Sequence, residues 1–150
     1  MKYIFVIFIL SILNGNLYAQ ENPVNWEFTV NKKSKSLYEI HLFAKIKEPW
    51  HIYSEVQPKD AIATPTIIKV TPNPLVQLQG KTIEVGNRQN YYSNETKTSA
   101  LQYLNQVDFV QTVRLKADVK TSIRGTITFQ VCNDEKCLPP KTIPFFVTLN

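Results

Sequence analysis

The chain has 150 residues, a formal net charge of +5 at neutral pH and a hydrophobic content of 43%, which fits one domain with a core large enough to fold without cross-links. Lysines and arginines are scattered among acidic residues, and the only dense group is at Lys32, Lys33 and Lys35. Because no aromatic stacking platform is interleaved with these charges, we expect no nucleic-acid partner.

Residues 1–19 have the pattern of a secretory signal. Lys2 provides the positive start, residues 3–13 form an apolar run, and Ala19 is a small residue at the expected cleavage point. The run is shorter than a bilayer-spanning helix requires, and no second hydrophobic segment follows it. We predict a cleaved signal peptide at 1–19 and one domain at 20–150, with an uncleaved anchor as the alternative.

Beyond the signal, apolar and polar residues alternate with a period of two, which is typical of β-strands with one face in a core. In the segment 37–46 every second residue is apolar, while His41 falls on the polar face. This pattern predicts an all-β protein with an immunoglobulin-like antiparallel β-sandwich, and an up-and-down barrel is the alternative. The predicted strands lie at about 25–31, 37–46, 50–54, 64–71, 75–84, 107–117, 122–132 and 142–149.

The segment 86–106, GNRQNYYSNETKTSALQYLNQ, interrupts this alternation. It is polar and long for a hairpin turn, yet it contains Tyr91, Tyr92 and Tyr103. Long loops inside compact domains are usually functional or disordered. The sequence therefore predicts a loop whose tyrosines either cover a site or simply pack on the nearest sheet.

Both cysteines of the chain lie in the stretch VCNDEKCLPP, residues 131–140. Alternation along the preceding strand places Cys132 on its outward face, away from the core. The polar turn at 133–136 can bring Cys137 back within disulfide reach of Cys132, and an oxidising compartment would close the bond. Pro139 and Pro140 stiffen the exit from this turn.

The pair is either a structural staple or a redox-active dithiol. A ring of about six residues contributes roughly 2 kcal/mol by loop entropy, which is less than a long-range link would give. A zinc site needs three or four ligands, and only His41 and His51 are available to join the thiols. His41 is remote in the sequence, so we expect no bound metal.

A known family shares these residues. The stretch FQVCNDEKCLPPKTIPF, residues 129–145, resembles the active-site hairpin and last strand of the N-terminal periplasmic domain of DsbD, the thiol:disulfide interchange protein. The stretch KIKEPWHIYS, residues 45–54, resembles the aromatic strand that precedes that family's active-site face. The likeness spans most of the chain after the predicted signal but is specific only in these two stretches. It implies an immunoglobulin-like domain whose cysteines carry electrons from a membrane-embedded partner to periplasmic thioredoxin-fold proteins.

The resemblance also implies roles for individual residues. Cys137 would form the mixed disulfide with a partner, and Cys132 would resolve it. The segment 86–106 would be a cap loop that shields the sulfurs with an aromatic ring, for which Tyr91 and Tyr92 are the two candidates.

Three further residues flank the site by resemblance. Trp50 and Tyr53 match aromatic positions, and a plain core role is the alternative for Trp50. His51 stands where the family can have an aromatic residue, so its part in proton transfer is a hypothesis.

Two departures from the family pattern affect the prediction. The turn between the cysteines has four residues, one fewer than in the better known members. The sequence ends at Asn150 without the family's membrane and thioredoxin-like domains, so we expect a separate membrane-embedded electron donor.

Together, the residues and the resemblance predict a monomeric periplasmic thiol:disulfide oxidoreductase. It would relay electrons to thioredoxin-fold periplasmic proteins and would need no bound cofactor. The alternative is a non-catalytic binding module of the same fold, in which the disulfide holds a hairpin and the tyrosine-bearing loop grips a protein partner.

Overall fold

The structure is a computed structural model that describes residues 22–150, so the signal predicted at 1–19 lies outside the described residues. Within 22–150 no helix is long and apolar enough to cross a membrane. The described chain forms eleven strands: β1 (Val24–Lys32), β2 (Leu37–Ile46), β3 (His51–Tyr53), β4 (Ile67–Val70), β5 (Val76–Val85), β6 (Arg88–Ser93), β7 (Thr98–Leu104), β8 (Gln106–Leu115), β9 (Thr121–Phe129), β10 (Val131–Cys132) and β11 (Lys141–Leu149).

The strands form three antiparallel sheets, with the orders β1-β2-β8-β5, β10-β3-β7-β6 and β11-β9-β4. The first sheet packs against the other two across one continuous core, so the protein is an immunoglobulin-like β-sandwich, as predicted. The up-and-down barrel is wrong, because β2 pairs with the distant β8 and each sheet ends in edge strands.

The period of two in the sequence explains the main core. In β2, alternate residues from Tyr38 to Ile46 are buried, and their neighbours point away from the core. Phe109 lies beside Leu42 on the neighbouring strand β8, Phe129 lies on β9 in the opposite layer, and both are buried. Fully burying an aliphatic or aromatic side chain contributes about 1.5–3 kcal/mol, so these rows of residues drive the two layers together.

The predicted strand at 122–132 is interrupted at Gln130. Before this residue β9 pairs with β11 and β4, whereas after it β10 pairs with β3. The chain therefore changes sheets immediately before the first cysteine, and Cys132 belongs to the sheet that also contains β3, β7 and β6.

The prediction of a long loop at 86–106 is wrong. This segment contains β6 and β7, which pair with each other as a hairpin that turns at residues 94–97. Lys97 ends the turn with a φ of 57°, in the left-handed region. Because β6 is an edge strand that is exposed along most of its length, its sequence carries no apolar face by which alternation would reveal it.

Candidate active site at the cysteine hairpin

The two cysteines are joined across the neck of a tight turn. Cys132 and Cys137 form a disulfide with a Cα–Cα distance of 4.0 Å and face each other as an isolated antiparallel bridge. The Asn133 amide donates to the Lys136 carbonyl at 2.9 Å. The Asn133 side-chain oxygen in turn accepts from the amides of Glu135 at 3.0 Å and Lys136 at 2.8 Å. The turn predicted from the polar residues is confirmed.

The two sulfurs lie in different environments. Cys137 is exposed, whereas Cys132 is only 1% exposed. Alternation correctly placed Cys132 on the face away from the main core, but the prediction that it looks outward is wrong. A small second cluster covers it, formed with Tyr53 and Ala100 and flanked by Ala63. The residues that cover Cys132 belong to β3, β7 and the connection after β3. Its burial therefore cannot be predicted from the residues around the cysteines alone.

The pairing register of the sheet β10-β3-β7-β6 determines which side chains lie on the same face as Cys132. Residues directly opposite each other in an antiparallel pair share a face. Cys132 is opposite His51 across β10 and β3. Farther along the sheet, Ala100 is opposite Tyr91 across β7 and β6. The residues of this face include Cys132, His51, Leu104, Tyr53, Gln102, Ala100 and Tyr91.

A cavity of about 630 Å³ lies between the cysteine turn and the β6–β7 hairpin. Cys137 and the turn before it form one wall, and the end of the β6–β7 hairpin forms another. Tyr53 and Tyr91 both line the cavity. Tyr92 does not line it, because the next residue along a strand points to the opposite face. Of the two tyrosines predicted from the sequence, the structure brings Tyr91 alone to the cavity.

Trp50 contacts both the core and the cysteine turn. It is 4% exposed and belongs to the main core cluster. The Lys136 ammonium lies 5.5 Å from the centre of its ring, within the range of a cation–π contact. The core role and the site-flanking position considered from the sequence are therefore both present.

His51 and Tyr53 pack against each other on the cysteine face. Their rings meet edge to face with 5.3 Å between centroids, and His51 Nε2 lies 3.4 Å from the Tyr53 hydroxyl. Burial lowers the pKa of His51, and the nearby carboxylate of Asp134 acts in the opposite direction. Burial, reinforced by Tyr91, raises the pKa of Tyr53. Both side chains are therefore neutral at neutral pH.

A carboxylate beneath the end of β3 was not identified from the sequence. Glu84 of β5 accepts hydrogen bonds from the Ser54 hydroxyl, the Glu55 amide and the Tyr103 hydroxyl, each at 2.6 Å. Burial, and then repulsion from Glu84, raises the pKa of Glu55 to about 7. Burial and the bond to Glu84 also raise the pKa of Tyr103. These hydrogen bonds connect the residues that follow β3 to β5 of the first sheet.

The sequence did contain a signal for Glu84. Its neighbours Ile83 and Val85 are 61% and 56% exposed, so in this part of β5 the apolar residues point outward and the charged residue points inward. An inverted alternation of this kind marks a polar partner inside the fold.

His41 is not brought to the cysteines. It lies on the first sheet, where its Nδ1 is 2.7 Å from an Asp108 carboxylate oxygen. Among residues 22–150, no group of three or more His, Cys, Asp and Glu side chains is placed to hold a metal ion.

No family model matches the chain, and no curated protein matches it in sequence. Solved structures do share its architecture. The DsbD N-terminal domain of Neisseria meningitidis, solved in the reduced form, has a TM-score of 0.51 and 13% identity over 82% of this chain and 85% of that one. The present chain has the fold of a DsbD N-terminal domain. The resemblance first found in the cysteine hairpin is thereby confirmed at the level of the fold.

Two further structures agree with this fold. The complex between the DsbD N-terminal and PilB N-terminal domains of Neisseria meningitidis matches with a TM-score of 0.51 and 15% identity, over 87% of each chain. The N-terminal periplasmic domain of ScsB from Proteus mirabilis matches with a TM-score of 0.58 and 14% identity over 87% of this chain. The match covers 47% of the ScsB chain, so the present chain spans about half of that structure.

Proposed function

We propose that this protein is a periplasmic thiol:disulfide interchange domain. It relays electrons by dithiol–disulfide exchange at Cys132 and Cys137, from a membrane-embedded donor to thioredoxin-fold partners. The observation that carries the proposal is the asymmetry of the pair, with Cys137 exposed beside an open cavity and Cys132 buried against Tyr53 and Ala100. The fold shared with DsbD N-terminal domains, one of them solved in the reduced form, supports it.

The different exposure of the two sulfurs supports the following order of chemical steps. The Cys137 thiolate attacks one sulfur of the partner's disulfide, and the other partner sulfur leaves as a thiolate. Cys132 then attacks the Cys137 sulfur, re-forms the Cys132–Cys137 bond and displaces the partner's remaining sulfur. Two electrons have then passed to the partner, and the pair is ready to be reduced again by the donor.

The cavity beside Cys137 is where the partner's sulfur enters. Its volume of about 630 Å³ is large enough for a short peptide segment. Tyr91, rather than Tyr92, is the ring that shields the sulfurs when no partner is bound, because it is the one of the two that lines this cavity. The solved complex between DsbD and PilB N-terminal domains is a precedent for a domain of this fold binding another protein domain.

A purely structural disulfide would behave differently. The six-residue ring contributes only about 2 kcal/mol of loop entropy, which is little for a domain with a continuous core. A structural bridge has a reduction potential below about −300 mV, whereas a relay must have a higher one. Equilibration with glutathione buffers measures this potential, and a value below that limit would support the binding-module alternative.

Trapping a mixed disulfide tests the exchange directly. In a Cys132→Ser variant, Cys137 remains to attack but nothing resolves the adduct, so an oxidised thioredoxin-fold protein should accumulate as a covalent complex through Cys137. The matched Cys137→Ser variant should give none, because its remaining thiol is buried. Non-reducing electrophoresis and mass spectrometry identify the product. No adduct with several partners, or equal adducts from both variants, would contradict the proposal.

The periplasmic location rests on the signal predicted at residues 1–19. The intact mass of the protein recovered from a periplasmic extract tests it, and we expect a chain that begins at Gln20. The donor is tested by alkylating the thiols in cells. The Cys132–Cys137 pair should be partly reduced in the presence of the membrane reductant and fully oxidised in its absence.

A further inference from the structure

Cys132 is placed where water does not easily take its proton. It is 1% exposed and covered by Tyr53 and Ala100. In the proposed exchange, its thiol must lose a proton before its sulfur attacks Cys137. Burial among apolar groups disfavours the thiolate. The resolving step therefore requires a proton acceptor inside the fold.

His51 occupies the position from which this proton can be taken. It is directly opposite Cys132 in the pairing of β10 and β3, so the two Cβ atoms are about 4.5–5.5 Å apart on one face. His51 is 8% exposed, and its imidazole is held edge-on against Tyr53. Acceptor and donor therefore lie on the same face of the sheet, and both are buried.

We propose that His51 accepts the proton of Cys132 when that thiol resolves the mixed disulfide, an inference that rests on the proposed function. The proton passes from the Cys132 sulfur to the imidazole, and the resulting thiolate attacks the Cys137 sulfur. The Cys132–Cys137 bond forms as the bond from Cys137 to the partner breaks. The partner's sulfur leaves with the electron pair and is protonated by the imidazolium or by water.

The surrounding charges suit this role. Burial keeps the imidazole neutral at neutral pH, while Asp134 of the turn stabilises the imidazolium that forms during the step. Across the sheet, Leu104 of β7 is directly opposite His51 and brings no charge. The turn has two further charged residues: Lys136 lies over the Trp50 ring, and Glu135 is exposed.

The other titratable groups nearby are poorer acceptors. Tyr53 keeps its own proton, because burial raises its pKa. Asp134 is exposed on the turn, whereas Cys132 and His51 are buried. A positioned imidazole contributes about 100-fold or more to proton transfer in other enzymes.

A two-phase reaction isolates the resolving step. Reduced protein is mixed with a small chromogenic aromatic disulfide in a stopped-flow instrument. The first coloured thiolate is released when Cys137 attacks, and the second is released when Cys132 resolves the adduct. For the wild type, we expect the second phase to be nearly independent of pH between the pKa of His51 and that of the thiol.

The His51→Gln variant should leave the first phase unchanged and slow the second about 100-fold at pH 7. Its second phase should then rise about tenfold per pH unit, as free thiolate forms, and approach the wild type in alkali. His41→Gln is the matched control. Its histidine lies on the first sheet against Asp108, so both phases should be unchanged.

If the second phase of His51→Gln is within twofold of the wild type at pH 7, the inference is overturned. Equal slowing of this phase at every pH would also overturn it, because that result indicates a displaced Cys132. If His51→Gln does not fold, the pH dependence of the second phase in the wild type tests the inference instead. A second phase that rises tenfold per pH unit without a plateau refutes the role of His51. The probe is a small molecule, so failure of partner trapping and failure of this test are separate results.

Discussion

The main core and the small cluster under the disulfide are built differently. The main core joins all three sheets through rows of large buried side chains such as Phe109 and Phe129. The small cluster consists of Tyr53, Ala100 and Cys132, and it borders an open cavity. We therefore expect the stability of the fold and the chemistry of the sulfurs to depend on largely separate sets of contacts, with Trp50 shared between them. Variants that affect one set should leave the other largely intact.

The largest expected effect is a truncation in the main core. Phe109→Ala should lower the free energy of unfolding by about 3–5 kcal/mol, because it leaves a cavity at a side chain that packs against Trp26 and Tyr103. In the small cluster, Ala100→Gly should cost only about 1 kcal/mol. Urea unfolding measures both values, and similar losses at the two sites would remove the distinction between the regions.

Reduction of the disulfide should have a smaller effect. Opening the six-residue ring should lower the free energy of unfolding by about 2 kcal/mol, because only a short loop is released in the unfolded chain. Urea unfolding with and without a reductant gives the difference. The double variant Cys132→Ala and Cys137→Ala is the control and should not respond to the reductant. Loss of the folded state on reduction would show that the bond is a staple after all.

The pH dependence of stability should report the link between Glu55 and Glu84. The pKa of Glu55 is raised to about 7 in the folded protein from an ordinary value of 4.5, so the folded state binds this proton more tightly than the unfolded state. The resulting stabilisation is fully present below pH 4.5 and is lost as the pH rises through 7. Glu55→Gln should therefore be more stable than the wild type at pH 8 by about 1 kcal/mol, after allowing for solvent screening.

At pH 4 the Glu55→Gln variant should match the wild type, because both side chains are then neutral. Thermal unfolding at a series of pH values measures the difference. Glu95→Gln, on the exposed turn of the β6–β7 hairpin, is the matched control and should follow the wild-type curve. A constant offset between Glu55→Gln and the wild type at all pH values would exclude this linkage.

The smallest expected effect separates the two exposed tyrosines. Tyr91→Ala should speed the attack of a bulky thiol on the disulfide about fivefold, which corresponds to roughly 1 kcal/mol of barrier, because it removes a ring from the cavity beside Cys137. Tyr92→Ala removes an equally exposed ring from the opposite face and should change nothing. The rate is measured as the loss of the disulfide over time, which alkylation of the released thiols and mass spectrometry detect. Equal acceleration in both variants would assign no shielding role to Tyr91.

Parts of this molecule were predictable because local chemistry determines them. The two faces of β2 meet different environments, so its sequence alternates and reveals a strand. The turn after Cys132 is determined by its own residues, since Asn133 caps the amides that follow it. The pairing of the cysteines could therefore be predicted from a few consecutive residues.

Other features depend on residues far apart in the sequence. β6 carries no pattern because solvent surrounds most of it, and it was predicted as a loop. The burial of Cys132 comes from Tyr53 and Ala100, which reach it only after the chain changes sheets at Gln130. The pairing of Glu84 with the end of β3 is equally non-local.

The turn between the cysteines is held by hydrogen bonds that involve no sulfur. The amide of Leu138 also donates to the Val131 carbonyl, at 2.8 Å, and closes the hairpin just outside the pair. Breaking the sulfur–sulfur bond removes none of these contacts, so the two sulfurs stay adjacent. Attack of the Cys132 thiolate on a mixed disulfide at Cys137 is then intramolecular, has a high effective concentration and releases the captured thiol. A small thiol that captured Cys137 by chance would be expelled quickly, and the domain would not accumulate as a dead-end adduct.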